Sequence, residues 1–156
     1  SDPSRGLGDV YKRQDFNGYE FEVGRSFSTN NGELQISYGR EEVVGTFSSG
    51  GNVPRITPIK NVYRFALEQR DVTYDIKIMD VQKEDDIGFG ESVTDGYTMV
   101  DFDIRRSIAI GSDEELVLSV FGRNLMDEKA RNHTSYVKNE VPLAGRNFGI
   151  KLNFNF

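Results

Sequence analysis

Residues 147–156, NFGIKLNFNF, decide the fold, because apolar and polar side chains alternate strictly along them. Successive side chains of a β-strand point to opposite faces, so such a strand has one apolar and one polar side. The apolar set comprises Phe148, Ile150, Leu152, Phe154 and Phe156. The stretch therefore predicts a β-strand that borders two different environments.

The same period of two recurs through the rest of the chain. It is clear over 59–68, 72–79 and 100–110, and less regular over 18–28, 33–43 and 115–125. No segment shows a convincing helical period. The sequence therefore predicts an all-β protein with seven strands.

The predicted connections alternate between short and long. Tight turns are expected at 29–32, 69–71 and 111–114, and the first contains the Asn-Gly pair that hairpins favour. Long segments lie between them, at 44–58, 84–96 and 126–145. Short turns at one end and long loops at the other are typical of an antiparallel up-and-down transmembrane β-barrel.

A soluble β-sandwich that binds a ligand such as a carbohydrate would show the same alternation, with its apolar face buried. A passive porin or adhesin barrel also stays open. The polar face favours a barrel over a sandwich, because mid-strand charges are costly against a packed core but suit a wet lumen. These charges are Asp75, Lys77, Asp101, Asp103 and Arg105.

Composition excludes several classes of protein. The 156 residues include no Cys, which rules out a disulfide scaffold and a thiolate zinc site, and only one His. A net charge of −6 argues against nucleic-acid binding. No apolar run approaches the ~18 residues that a transmembrane helix needs. We find no catalytic motif and predict neither enzymatic activity nor a cofactor.

The amino terminus does not match the rest of the chain. Residues 4–14, SRGLGDVYKRQ, resemble a DNA-sequencing adapter translated in frame. Such processing scars are excluded from fold reasoning. We predict that residues 1–14 are a disordered artefact, that residues 15–156 are the native part, and that most of the native protein lies upstream of Asp15.

Four motifs carry a family resemblance: GNVPRITP at 51–58, TDGYTM at 94–99, VFGRNLMD at 120–127 and ARNHTSYVKNEVPLAGRNF at 130–148. In this order and spacing they resemble the closing strands of TonB-dependent outer-membrane receptors. The similarity is to a branch that includes receptors for zinc and for iron complexes. It extends from about Gly18 to Phe156.

The resemblance implies that the chain forms the last seven strands of a 22-stranded barrel in the outer membrane of a Gram-negative bacterium. An N-terminal plug and the segment that contacts the TonB complex would precede it. The implied substrate is a metal chelate of the iron-siderophore or zinc type, and outer-membrane lipid would surround the barrel. The barrel-assembly machinery would recognise the C-terminal signal formed by Leu152, Phe154 and Phe156.

The candidate site residues fall into two groups. His133 is a candidate metal ligand in the longest external loop, near Glu128, Asn132 and Glu140, and Asn132 and Tyr136 are assigned to the same loop. The residues expected to face the lumen or the plug are Glu20, Glu22, Arg64, Asp75, Lys77, Asp101, Asp103 and Arg105. Their expected role is to keep the wall wet and to pair with each other or with the plug.

Four residues depart from the simple pattern. Arg106 and Asn61 lie on apolar registers. For Arg106 we expect either a bulge or a position close to the periplasmic rim, and for Asn61 a position near the outer interface. Val117 and Phe121 lie on a polar register, which makes them candidate plug contacts.

Overall fold

The computed structural model describes residues 13–111 and 114–155, and these contain seven strands and no helix. The strands are β1 (Gln14–Thr29), β2 (Gly32–Phe47), β3 (Lys60–Gln69), β4 (Val72–Val81), β5 (Tyr97–Ala109), β6 (Glu115–Arg123) and β7 (Asn147–Asn155). They form one sheet in the order β1-β2-β3-β4-β5-β6-β7, and every pair is antiparallel. The predicted all-β, up-and-down architecture with seven strands is confirmed. In the described part of the chain, no helix could span a membrane.

The connections segregate as predicted. The short links after β1, β3 and β5 share one end of the sheet, which we call the turn end. The long links, residues 48–59, 82–96 and 124–146, share the other, which we call the loop end. The sequence placed the end of β2 too early, at about residue 43, whereas the strand continues to Phe47.

The first strand also begins earlier than the alternation indicates. Gln14, which we assigned to the artefactual segment, pairs with Phe47, and the backbone N–H of Ser48 donates to the carbonyl of Arg13 over 3.0 Å. Residues 1–12 lie outside the described residues. The artefactual origin of residues 1–14 stays a prediction.

One face of the sheet is apolar and uncovered. Cross-strand pairs such as Ile76 with Phe102 and Val120 with Ile150 form it, and Ile150 is 71% exposed. Among the described residues, the buried hydrophobic side chains are Val53, Val81 and Ala130, all at or near the loop end. No second sheet covers the apolar face in this part of the chain, so the sandwich architecture is not found.

Two arginines interrupt the apolar face near the turn end, and Phe27 and Ile108 continue the face beyond them. Arg106 pairs with Val72, the first residue of β4, and its Nε donates to Asp71 Oδ2 over 3.0 Å. Arg106 thus lies near the turn end in continuous register, and its position at a periplasmic rim stays a prediction. Arg25 interrupts the same face on β1, where its guanidinium lies 5.1 Å from the ring centre of Phe27.

A hydrogen-bonded polar belt bounds the apolar face at the loop end. Asn61, only 6% exposed, accepts from Tyr38 Oη over 2.9 Å and donates to Asp80 Oδ2 over 3.5 Å. Asp80 in turn accepts from Thr98 Oγ1 over 3.1 Å. The belt residues are Tyr19, Tyr38, Arg40, Glu42, Asn61, Asp80 and Thr98. The belt explains Asn61, which lies at the loop end as expected and has partners on both neighbouring strands.

Candidate functional site

The opposite face of the sheet is polar, and the strand register brings the predicted lumen residues together on it. The register sets Arg64 opposite Lys77 and Lys77 opposite Asp101. Asp75 lies opposite Asp103, and this pair is two residues closer to the turn end than the pair of Lys77 and Asp101. The polar face carries Glu20, Glu22, Arg64, Asp75, Lys77, Asp101, Asp103 and Arg105. Whether this face borders a lumen stays a prediction.

Several of these charged side chains already form ion pairs or hydrogen bonds within the sheet. Arg64 Nε donates to Asp75 Oδ2 over 2.8 Å. Arg123 holds both carboxylate oxygens of Asp103, at 2.8 and 2.9 Å, and sequence alone did not single it out. Asp101 Oδ1 accepts from the backbone N–H of Asn124 over 2.9 Å. The charge of the polar face is thus partly neutralised by ion pairs between its own residues.

The three long loops meet in a buried polar cluster at the loop end, which we call the loop junction. It consists of the side chains of Glu91, Thr94, His133 and Lys138 with the backbone of Arg55. The side chains of His133 and Glu91 are only 1% and 6% exposed. The cluster joins loops that are distant in sequence, so it determines how they pack.

The contacts of His133 define its protonation state. The Lys138 ammonium, 3.1 Å from Nδ1, can only donate, and the Thr94 hydroxyl lies 2.9 Å from the same nitrogen. Nδ1 is therefore the unprotonated acceptor, and the proton resides on Nε2, which faces Glu91 Oε1 at 3.5 Å. A second proton, on Nδ1, would point at the Lys138 ammonium, so the contacts favour the neutral imidazole.

Glu91 is the centre of the loop junction. Its two carboxylate oxygens accept from the backbone N–H groups of Arg55 and Gly88, at 2.8 and 2.9 Å. The Gly88 and Glu91 backbones also close a turn over 3.2 Å, in which Gly90 has φ +79°. One carboxylate thus connects the first long loop to the turn of the second, and faces His133 of the third.

Burial lowers the pKa of His133, and the nearby Lys138 lowers it further. In the unfolded chain the imidazole titrates near 6.5. The unfolded state therefore binds more protons as pH falls below about 6.5, and the loop junction should lose stability there.

We expect the amides of residues 88–94 to exchange faster at pH 5.5 than at pH 7.5, after correction for the intrinsic rate. His133→Gln should abolish this pH dependence, and an unchanged dependence would contradict the assignment.

The predicted site residues of the third loop have different surroundings. Asn132 is exposed, and its Oδ1 shapes a turn by accepting from the backbone N–H of Thr134 over 3.1 Å. Tyr136 is 86% exposed and has the Arg55 guanidinium 3.1 Å from its ring centre. No group of three or more His, Cys, Asp or Glu suited to a metal occurs within the described residues. Metal binding by His133 stays a prediction, and its contacts favour a hydrogen-bonding role.

Asn124 has a structural role that the sequence analysis did not assign, because it quoted the residue only as part of the motif VFGRNLMD. It is 2% exposed and has φ +49°. Its Nδ2 donates to the carbonyls of Glu128 and Ala144, at 2.8 and 3.1 Å, while Oδ1 accepts from Glu128 N–H over 2.9 Å. Asp127 similarly accepts from Arg146 N–H over 3.0 Å. The motifs VFGRNLMD and ARNHTSYVKNEVPLAGRNF therefore form the two halves of one loop base.

Comparison with known proteins agrees with this architecture. The fold is that of a sector of an antiparallel up-and-down β-barrel. Among solved structures, the copper transporter OprC is similar, with a TM-score of 0.74 and 19% sequence identity over 92% of this chain and 24% of that one. This chain thus spans about a quarter of OprC. No family model and no curated protein matches the chain. At this identity the likeness shows the fold.

Proposed function

We propose that the chain is the C-terminal part of a TonB-dependent outer-membrane receptor, a transporter rather than an enzyme. The observation that carries the proposal is the uncovered apolar face, which the polar belt bounds at the loop end. Such a band suits a hydrocarbon layer, whereas water would disfavour it. The OprC fold and the four sequence motifs add independent support.

The transported substrate in this proposal is a scarce metal, free or chelated, of the iron-siderophore, zinc or copper kind. External loops would capture it, the TonB complex would drive rearrangement of the plug, and the periplasm would receive it. This chain would contribute barrel wall and three packed external loops. Outer-membrane lipid would contact the apolar face, and the barrel-assembly machinery would recognise Leu152, Phe154 and Phe156. Phe156 lies outside the described residues.

The isolated chain should not behave as a soluble domain. Leu152 is 64% exposed and Ile150 71% exposed on an open sheet, and the edges of β1 and β7 have no strand partner among the described residues. Exposed edges and apolar faces promote aggregation. We expect inclusion bodies on expression and no insertion into lipid vesicles. A soluble monomer that melts cooperatively would contradict the proposal.

The decisive experiment is to sequence the native DNA upstream of the Asp15 codon in the original sample. The proposal expects one reading frame that encodes a signal peptide, a plug domain and further alternating strands. A frame with strands but no plug or TonB-contacting segment would favour a passive porin or adhesin barrel. A native start codon close to Asp15 would refute the receptor.

A further inference from the structure

Two neighbouring cations of the polar face, Arg105 and Lys151, have no partner of opposite charge among the described residues. Arg105 of β5 and Lys151 of β7 lie in one pairing row, with Ser119 of β6 between them. Because adjacent strands are about 4.8 Å apart, the two backbones are separated by about 10 Å. Both residues are exposed, and neither forms an ion pair with any other described residue.

The nearest carboxylates are already engaged. Asp103, in the next row toward the loop end, has both oxygens bound by Arg123 at 2.8 and 2.9 Å. Asp75, opposite Asp103, is paired with Arg64 over 2.8 Å. Arg105 and Lys151 therefore leave two positive charges uncompensated on this part of the wall.

Apolar groups flank the row. Val117 and Phe121 lie on the same face as Ser119, two residues to either side. The Phe121 ring lies against Gly149, where an added Cβ would be 2.3 Å from Phe121 Cζ, so the ring sits close to the sheet. With both cations, these residues line an open concavity of about 640 Å³.

We propose that this concavity docks an acidic side chain, with apolar neighbours, from the protein domain that occupies the barrel interior. The inference rests on the proposed function. A carboxylate above Ser119 would lie between a guanidinium and an ammonium and would accept from the hydroxyl. A domain that covers two cations without supplying a counter-charge would leave them desolvated and unpaired, which is costly. The apolar flanks match a folded protein segment better than a hydrated ion.

The test uses the complete receptor, purified in detergent, and zero-length carbodiimide cross-linking. This reagent joins an amine to a carboxylate only where the two are in contact. We expect mass spectrometry to find Lys151 joined to one defined Asp or Glu of the interior domain. Lys151→Arg should remove that cross-link without reducing the yield of folded protein, because it keeps the charge and loses the amine.

An amine-reactive label supplies the second measurement, with the exposed loop residue Lys129 as the matched control. We expect Lys151 to be modified at least tenfold more slowly than Lys129. Equal rates with no cross-link would overturn the docking site. Protection of Lys151 that appears only when inorganic phosphate is added would also overturn it, in favour of a free-anion site. The absence of an interior domain from the upstream frame would instead refute the proposed function.

Discussion

Glu91→Ala should uncouple the three long loops at the loop end. The change removes the acceptor from two backbone N–H groups, those of Arg55 and Gly88, and the carboxylate that faces His133. Each orphaned buried donor costs about 1–3 kcal/mol. We therefore expect the free energy of local opening to fall by about 2–5 kcal/mol.

Amide hydrogen exchange at Arg55 and Gly88, in the complete receptor that we propose, measures this effect directly. A loss of about 3 kcal/mol corresponds to exchange roughly 100-fold faster. Glu91→Gln should show a smaller loss, because its amide keeps one acceptor oxygen. Glu140→Ala, an exposed glutamate of the third loop, is the matched control and should change stability by less than about 0.5 kcal/mol. Unchanged exchange at both amides in Glu91→Ala would show that the carboxylate does not hold the loops together.

Asn124→Ala should open the base of the loop between β6 and β7. It removes three side-chain hydrogen bonds at a site that is 2% exposed, and it places a Cβ without a polar group at φ +49°. Each net hydrogen bond contributes about 1 kcal/mol, and the left-handed conformation costs a further ~1–2 kcal/mol. We expect a total loss of about 3–5 kcal/mol, measured as increased exchange at the Glu128 amide and increased proteolysis within 124–146.

Two further variants separate these contributions. Asn124→Gly relieves the backbone cost but still lacks the hydrogen bonds, so it should be less destabilising than Asn124→Ala by about 1 kcal/mol. Asn124→Asp keeps the acceptor for Glu128 N–H, but sets a carboxylate against the carbonyls of Glu128 and Ala144. Wild-type exchange in all three variants would show that the loop base does not depend on this side chain.

The strands were predictable because their information is local. Alternation in residues 100–110 and 147–155 depends only on which neighbours are apolar, and the sheet preserves it in full. The prediction fell short near 44–47, where Gly45 and Thr46 obscure the pattern although the backbone ladder to β1 continues. There the pairing partner, rather than the local sequence, extends the strand.

The loop junction was not predictable, because its contacts join distant positions. Proximity in sequence associated His133 with Glu128 and Glu140, whereas its contacts in the fold are Thr94, Lys138 and Glu91. Thr94 and Glu91 are about 40 residues away, and nothing local marks them as partners. The resemblance did identify the motif around Asn124, but only the fold shows the hydrogen bonds that give the motif its purpose.

If the chain forms the receptor proposed above, Arg25 and Arg106 also indicate how its strands would lean in the membrane. Arg25 shares a pairing row with Phe102, through Ile36, Phe65 and Ile76, whereas Arg106 lies four residues farther along β5 than Phe102. The position of the arginine thus shifts by about one residue for each strand crossed. With a rise of ~3.4 Å per residue and a spacing of ~4.8 Å, two arginines at equal depth would require strands inclined by roughly 35° to the membrane normal. A barrel continued with that slope would have a shear number close to its number of strands.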